Sequence, residues 1–164
     1  MDTLRAAGRG AVAGVLATLA MSVPMLAATQ LGLVRRQAPR QITDRLLQRT
    51  GLAGEVRDED SRDALAAANH LGFGAAGGVI FGLLSRHLPP SAPRVAAGMA
   101  YGATIWTVSY AGWAPALRIM PAPDDDEPAR PALMLGAHLV YGAVLGALTP
   151  ARKRAVTRPA ADGM

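Results

Sequence analysis

The chain has 164 residues, 51% of them hydrophobic, a net charge of +5 and no cysteine, which excludes disulfides, thiolate metal sites and a cysteine nucleophile. Mean hydropathy is +0.20, yet the charges are confined to short intervals, so the basic balance reads as arginines flanking membrane spans and not as a nucleic-acid footprint. What lies between the uncharged runs is too fragmented for a second core, and the prediction is one all-α domain over residues 1–151, an integral membrane four-helix bundle.

Four uncharged runs set the predicted spans: 10–34, 64–85, 95–117 and 131–151. Each has roughly 20 residues or more, enough at about 1.5 Å per residue to cross a hydrocarbon core of about 30 Å. Arg5 and Arg9 ahead of the first run, with a small-x-small site at Ala20-Met21-Ser22, resemble a secretory leader. The run continues to Val34, longer than a leader core, so a retained helix is expected.

Between the first two spans, residues 40–50 place Ile42 and Leu46 one turn apart among charges, an amphipathic helix lying at the interface and ended by Gly51 and Gly54. The acids from Glu55 to Asp63 then suit the N-terminus of the second span. Pro89, Pro90 and Pro93 form a tight turn that makes spans two and three antiparallel neighbours. In the third loop, Asp124-Asp125-Asp126-Glu127 offers carboxylates suited to a hard cation but without the ligand spacing of a cation loop, so a solvated extracytoplasmic turn is expected. Residues 152–164 read as a basic, disordered tail beside an anionic leaflet.

Lys and Arg number eight in the N-terminus, second loop and tail, and nine in the first and third loops. The eight are denser and include Arg152-Lys153-Arg154, which places both termini in the cytoplasm, although Arg35 and Arg36 pull the other way.

One phrase occurs twice: His70-Leu71-Gly72-Phe73-Gly74-Ala75 and His138-Leu139-Val140-Tyr141-Gly142-Ala143. Ladders spaced by four follow from it: Gly74, Gly78 and Gly82 after His70, and Gly142 and Gly146 after His138, matched by Gly10 and Gly14 in the first span and Gly98 and Gly102 in the third. Residues four apart share a helix face, and glycines there let backbones approach. The prediction is two tandem hairpins forming a parallel internal repeat, with Gly10 aligned to Gly98.

Measured from the middle of each run, His70 lies about 7 Å, His138 about 5 Å and Tyr110 about 6 Å toward the first-and-third-loop side. With Ser22 near mid-depth and Asn69 beside His70, these residues form a candidate polar pocket in the outer half, above a glycine-tight inner half. Neutral histidines bonding across helices are the plain reading, and a proton-responsive site is the sharper one. A bis-histidine haem is disfavoured by the glycine ladders, and zinc by having two intramembrane histidines and no carboxylate. No cofactor or metal is expected, and no enzyme, because no nucleophile or cofactor loop stands out.

Pro39-Arg40-Gln41-Ile42-Thr43 and, more specifically, Gly136-Ala137-His138-Leu139-Val140-Tyr141-Gly142 after a proline-rich acidic turn resemble small bacterial inner-membrane proteins. The chain is distantly similar to the YagU-like family, a resemblance that implies an integral inner-membrane protein with a link to acid stress and no established biochemical activity. Sixteen arginines to one lysine fit a GC-rich bacterial genome. The expected function is therefore a non-enzymatic packing or accessory membrane protein. Its expected partners are the lipid bilayer and a second copy or another membrane protein, with no nucleic acid. The alternative is a proton- or pH-responsive conduit or sensor using His70 and His138.

Overall fold

A computed structural model describes residues 2–35 and 37–150, all helical or irregular, with no strand among the described residues. The predicted tail at 152–164 lies outside them. In chain order the helices are α1 (Asp2–Gln30), α2 (Ala38–Thr50), α3 (Glu59–Leu84), α4 (Arg94–Val108), the single turn α5 (Ala114–Ala116) and α6 (Arg130–Leu148). Local chemistry accounts for their ends. Gly51, at φ 76°, closes α2 with the left-handed residue that stops helices. Asp58 opens α3 by accepting the Ser61 N–H at 2.7 Å.

The helices pair through their small residues. α1 lies along α3, α4 lies along α6, and α1 also packs on α6. A Cβ on Gly10 would collide with the Gly78 carbonyl oxygen, and one on Gly14 with that of Gly74. In the second pair, Gly98 abuts the Gly142 carbonyl and Gly102 that of His138, while Gly146 abuts that of Arg94. Gly82 approaches the Ala6 carbonyl, and Gly74 leaves room for the Thr18 side chain. All nine predicted packing glycines are thus helix contacts. Their register differs from the expected one: Gly14 meets Gly74 and Gly98 meets Gly142, each four residues after a histidine, so contact matches Gly98 with Gly14, one turn on from Gly10.

α3 and α4 are joined by long side chains and not by small ones. Phe81 and Tyr101 rings lie 5.2 Å apart. Tyr101 donates to the Gly77 carbonyl and Tyr141 of α6 to the Gly74 carbonyl, both at 2.8 Å. α3 thus packs one stripe of glycines on α1 and offers the carbonyls of Gly74, from that stripe, and Gly77, beside it, to tyrosine hydroxyls. Phe73, the aromatic of the first phrase, is 66% exposed, whereas its counterpart Tyr141 is 3% exposed.

Three helical stretches are long and apolar enough to cross a membrane: Thr3–Gln30, Glu59–His87 and Arg130–Leu148. The predicted span at 95–117 is helical without a break over 94–116, but not as one regular α-helix. Its α-helix has 15 residues and passes into a π-helical turn, Ser109–Trp113, before α5. The cause is Pro115, which has no N–H to donate and whose ring crowds the carbonyl of Ala111, so the turn before it widens.

α2 also differs from its expected orientation. It presses Ala38, Thr43 and Leu47 inward and leaves Leu46 42% exposed, so the buried face is rotated by about one residue from the predicted Ile42–Leu46 stripe. α2 is clamped to the start of α3. Arg40 pairs with Asp44 at 3.2 Å, Glu59 at 2.6 Å and Asp63, and Arg62 reaches Asp44 at 3.5 Å. Burial disfavours the Arg40 charge, but the bonds to Asp63, Glu59 and Asp44 outweigh it and hold the guanidinium above its ordinary range.

Candidate functional site

The end of the molecule formed by the first and third loops carries the polar chemistry. There Met21 and Met25 of α1, Met134 of α6, Ile119 and Met120 of the third loop, and Tyr110 are buried as part of one apolar cluster. Unbranched methionines suit irregular packing. Buried apolar side chains thus share this end with the residues of the predicted polar pocket, Tyr110 among them.

Each residue proposed for that pocket has a definite place. Ser22 Oγ donates to the Thr18 carbonyl at 2.8 Å, a bond within α1. Asn69 donates to Thr43 Oγ1 of α2 at 3.3 Å, away from the bundle interior. Tyr110 is 1% exposed and donates to Asp126 Oδ2 at 2.7 Å. His138 Nδ1 sits 2.8 Å from the Met134 carbonyl of its own helix. His70 of α3 lies within long-range electrostatic reach of His138 of α6, without a contact between the two rings. Ser22, Asn69, Tyr110 and His138 are thus each bonded to a different partner, and His70 and His138 share only long-range electrostatic reach. Trp106 of α4, packed on the Tyr110 ring at 5.8 Å, has a buried indole N–H without a protein acceptor.

The acidic third loop is only in part the solvated turn expected from its composition: Asp124 and Asp125 are exposed, whereas Asp126 and Glu127 turn inward. Arg130, 1% exposed at the start of α6, donates from Nε to Asp126 Oδ1 at 2.9 Å and pairs with Glu127 at 3.3 Å. Glu127 also accepts the Arg35 N–H at 3.1 Å, which ties the end of the first span to the third loop. A charged group this buried survives only with its counter-charge and hydrogen bonds in place. Asp126, with two lone-pair-bearing oxygens, joins Tyr110 and Arg130 into one buried network. A sequence signal for it existed: Asp126 and Arg130 are spaced i, i+4 across the entry to a span, where a retained charge needs a partner.

This arrangement runs from the N-terminal helix to the end of α6, and so does the match found for the sequence. A model described as a family of unknown function, DUF6789, matches residues 4–159. The chain belongs to the DUF6789 family. No curated protein and no solved structure matches the chain. The DUF6789 match takes in both histidine phrases, the Arg40 clamp and the Asp126–Arg130 network together, and nothing in the comparisons supports the YagU-like relationship.

Proposed function

We propose that this DUF6789 chain is a multi-pass protein of the bacterial inner membrane with a non-enzymatic, accessory role, its two hairpins related as a parallel repeat. The observation that carries the reading is the radial sorting of side chains on α1. Gly10, Ala13, Gly14, Ala17 and Thr18 face inward, while Val12, Leu16, Leu19 and Val23 point outward at 47–65% exposure. Phe73, Ile80, Val108 and Leu148 extend that apolar exterior over the other helices. A surface of this kind is stable against lipid and would aggregate in water. Because the glycine ladders are used up within the chain, a partner helix or second copy would dock on the leucine- and valine-rich exterior. Extraction tests the reading: expressed protein should stay in the membrane pellet through a carbonate wash, and release into the supernatant would sink it.

The histidine pair supports a second reading, a pH-responsive element. Protonating two imidazoles held within electrostatic range adds like charges to a packed interior and would loosen α3 from α6. In liposomes, a tryptophan fluorescence change between about pH 5 and 7 is expected in the parent chain and absent from a His70→Ala, His138→Ala double variant. An unchanged response in the double variant eliminates it.

A further inference from the structure

Between α2 and the third loop lies a groove of about 880 Å³ whose walls include Arg35, Arg45, Arg62 and Arg118 facing Asp44 and Glu127. Two of its three acids are already engaged. Asp44 is held by Arg40 and Arg62, and Glu127 by Arg130 and the Arg35 N–H. The side chains of Arg35, Arg45 and Arg118 have no carboxylate partner among the described residues, and Arg45 is held only by Gln48 at 3.5 Å. Asp125 is the single lining acid left without an ion pair among the described residues, so the groove presents surplus positive charge.

Arg118 adds a second, independent observation. Its φ of 51° makes it the one non-glycine residue in the left-handed region among the described residues. This conformation is costly for any residue with a Cβ, and such outliers concentrate at functional sites. Gly32 and Gly51 occupy the same region without that cost. Backbone bonds impose it here: Arg118 N–H to the Pro115 carbonyl and Ile119 N–H to the Ala114 carbonyl, each at 2.8 Å, while Arg49 holds the Leu117 carbonyl. The chain keeps a guanidinium where glycine would fit more easily, and that guanidinium lines the groove.

We propose that this groove binds a phosphate ester through Arg118, Arg45 and Arg35. Guanidinium forks match phosphate oxygens in charge and geometry. The volume exceeds what a bare phosphate ion fills and accommodates a headgroup with its glycerol. Sequence neighbours of the lining arginines are exposed leucines: Leu33 at 50%, Leu46 at 42% and Leu117 at 51%. Alternating arginines and outward leucines suit the level where headgroups meet acyl chains, so an anionic glycerophospholipid is the favoured source. That source rests on the membrane reading above, whereas a soluble phosphate ester presents the same chemistry without it.

The test uses the full chain in nanodiscs of phosphatidylcholine with and without phosphatidylglycerol, read by native mass spectrometry, and glycerol 3-phosphate as competitor. The parent chain should retain phosphatidylglycerol over phosphatidylcholine, and Arg118→Gly and Arg45→Gln should each lower retention roughly tenfold. Arg118→Gly relieves backbone strain, so its thermal midpoint in phosphatidylcholine should equal or exceed the parent's, which separates lost binding from lost fold. Retention that glycerol 3-phosphate cannot displace supports the lipid source; direct binding of glycerol 3-phosphate, in detergent or nanodisc, supports the soluble one. Equal retention of both lipids with no glycerol 3-phosphate binding, or parent-like binding by both variants, overturns the proposal. A chain that fails the carbonate wash but binds glycerol 3-phosphate in detergent refutes the membrane reading alone.

Discussion

Arg130 shows how much one side chain can decide. It is 1% exposed, satisfied by Asp126 and Glu127, and through Asp126 it fixes the Tyr110 hydroxyl. Replacing a buried pair by apolar groups is often tolerated, whereas removing one member strands the other. Arg130→Met should therefore destabilise the fold by about 3–5 kcal/mol in detergent denaturation. The double variant Arg130→Met, Asp126→Leu should recover most of that loss, and an equally unstable double variant would show that the network does more than neutralise a charge. Composition alone pointed to solvent for Asp126, because burial of a charge depends on a partner that only the folded loop brings within reach.

At the scale of elements, the glycine ladders separate into contacts and bystanders. Gly14 and Gly142 sit against backbone, so leucine at either should force its helix pair apart and cost several kcal/mol. Gly72 belongs to the same phrase but has open space where a Cβ would go. Gly72→Ala should be neutral or stabilising by about 0.5–1 kcal/mol through helix propensity. Thermal midpoints of the three variants in one detergent decide whether spacing or contact matters. The start of α3 gives a pH dependence. Hydrogen bonds from Ser61 hold the Asp58 carboxyl below its ordinary range, so its capping contribution is present above the unfolded-state value and is lost as pH falls through the folded one. Loss of helical circular dichroism on acidification below about pH 4 should be shallower in Asp58→Asn, which caps without a charge.

For the molecule as a whole, the orientation in the membrane is a proposal that charge pairing leaves open. The nine arginines of the first and third loops share their side with ten acids, and Arg40, Arg62 and Arg130 are engaged by carboxylates. At the opposite end Arg86 bonds to Thr3 and Arg94 to the Ser85 carbonyl, neither of them an acid. The proposed orientation, with the N-terminus and the second loop in the cytoplasm, rests on the density of basic residues in those short segments and not on pairing. The cysteine-free chain makes this directly measurable. In spheroplasts Asp124→Cys should react with an impermeant maleimide and Ser91→Cys should not; the reverse labelling would invert the topology.

The sequence by itself determined the helical class, three of the membrane-length helices and the glycine faces, because apolar run length and four-residue spacing are local properties of a helix. It also singled out His70 and His138, whose shared position within a repeated phrase is visible without a fold. Only the tertiary structure decided the rest. The contact register slid by one turn, since Gly14 and Gly98 find carbonyls that spacing cannot choose between. Methionines and a loop isoleucine are buried in the outer half beside the expected polar groups, a packing that spacing along the chain does not reveal. Tyr141 reaches the Gly74 carbonyl while Phe73 faces outward, two fates for one position of the phrase. In each case a local pattern named the surface, and a partner remote in the chain determined its use.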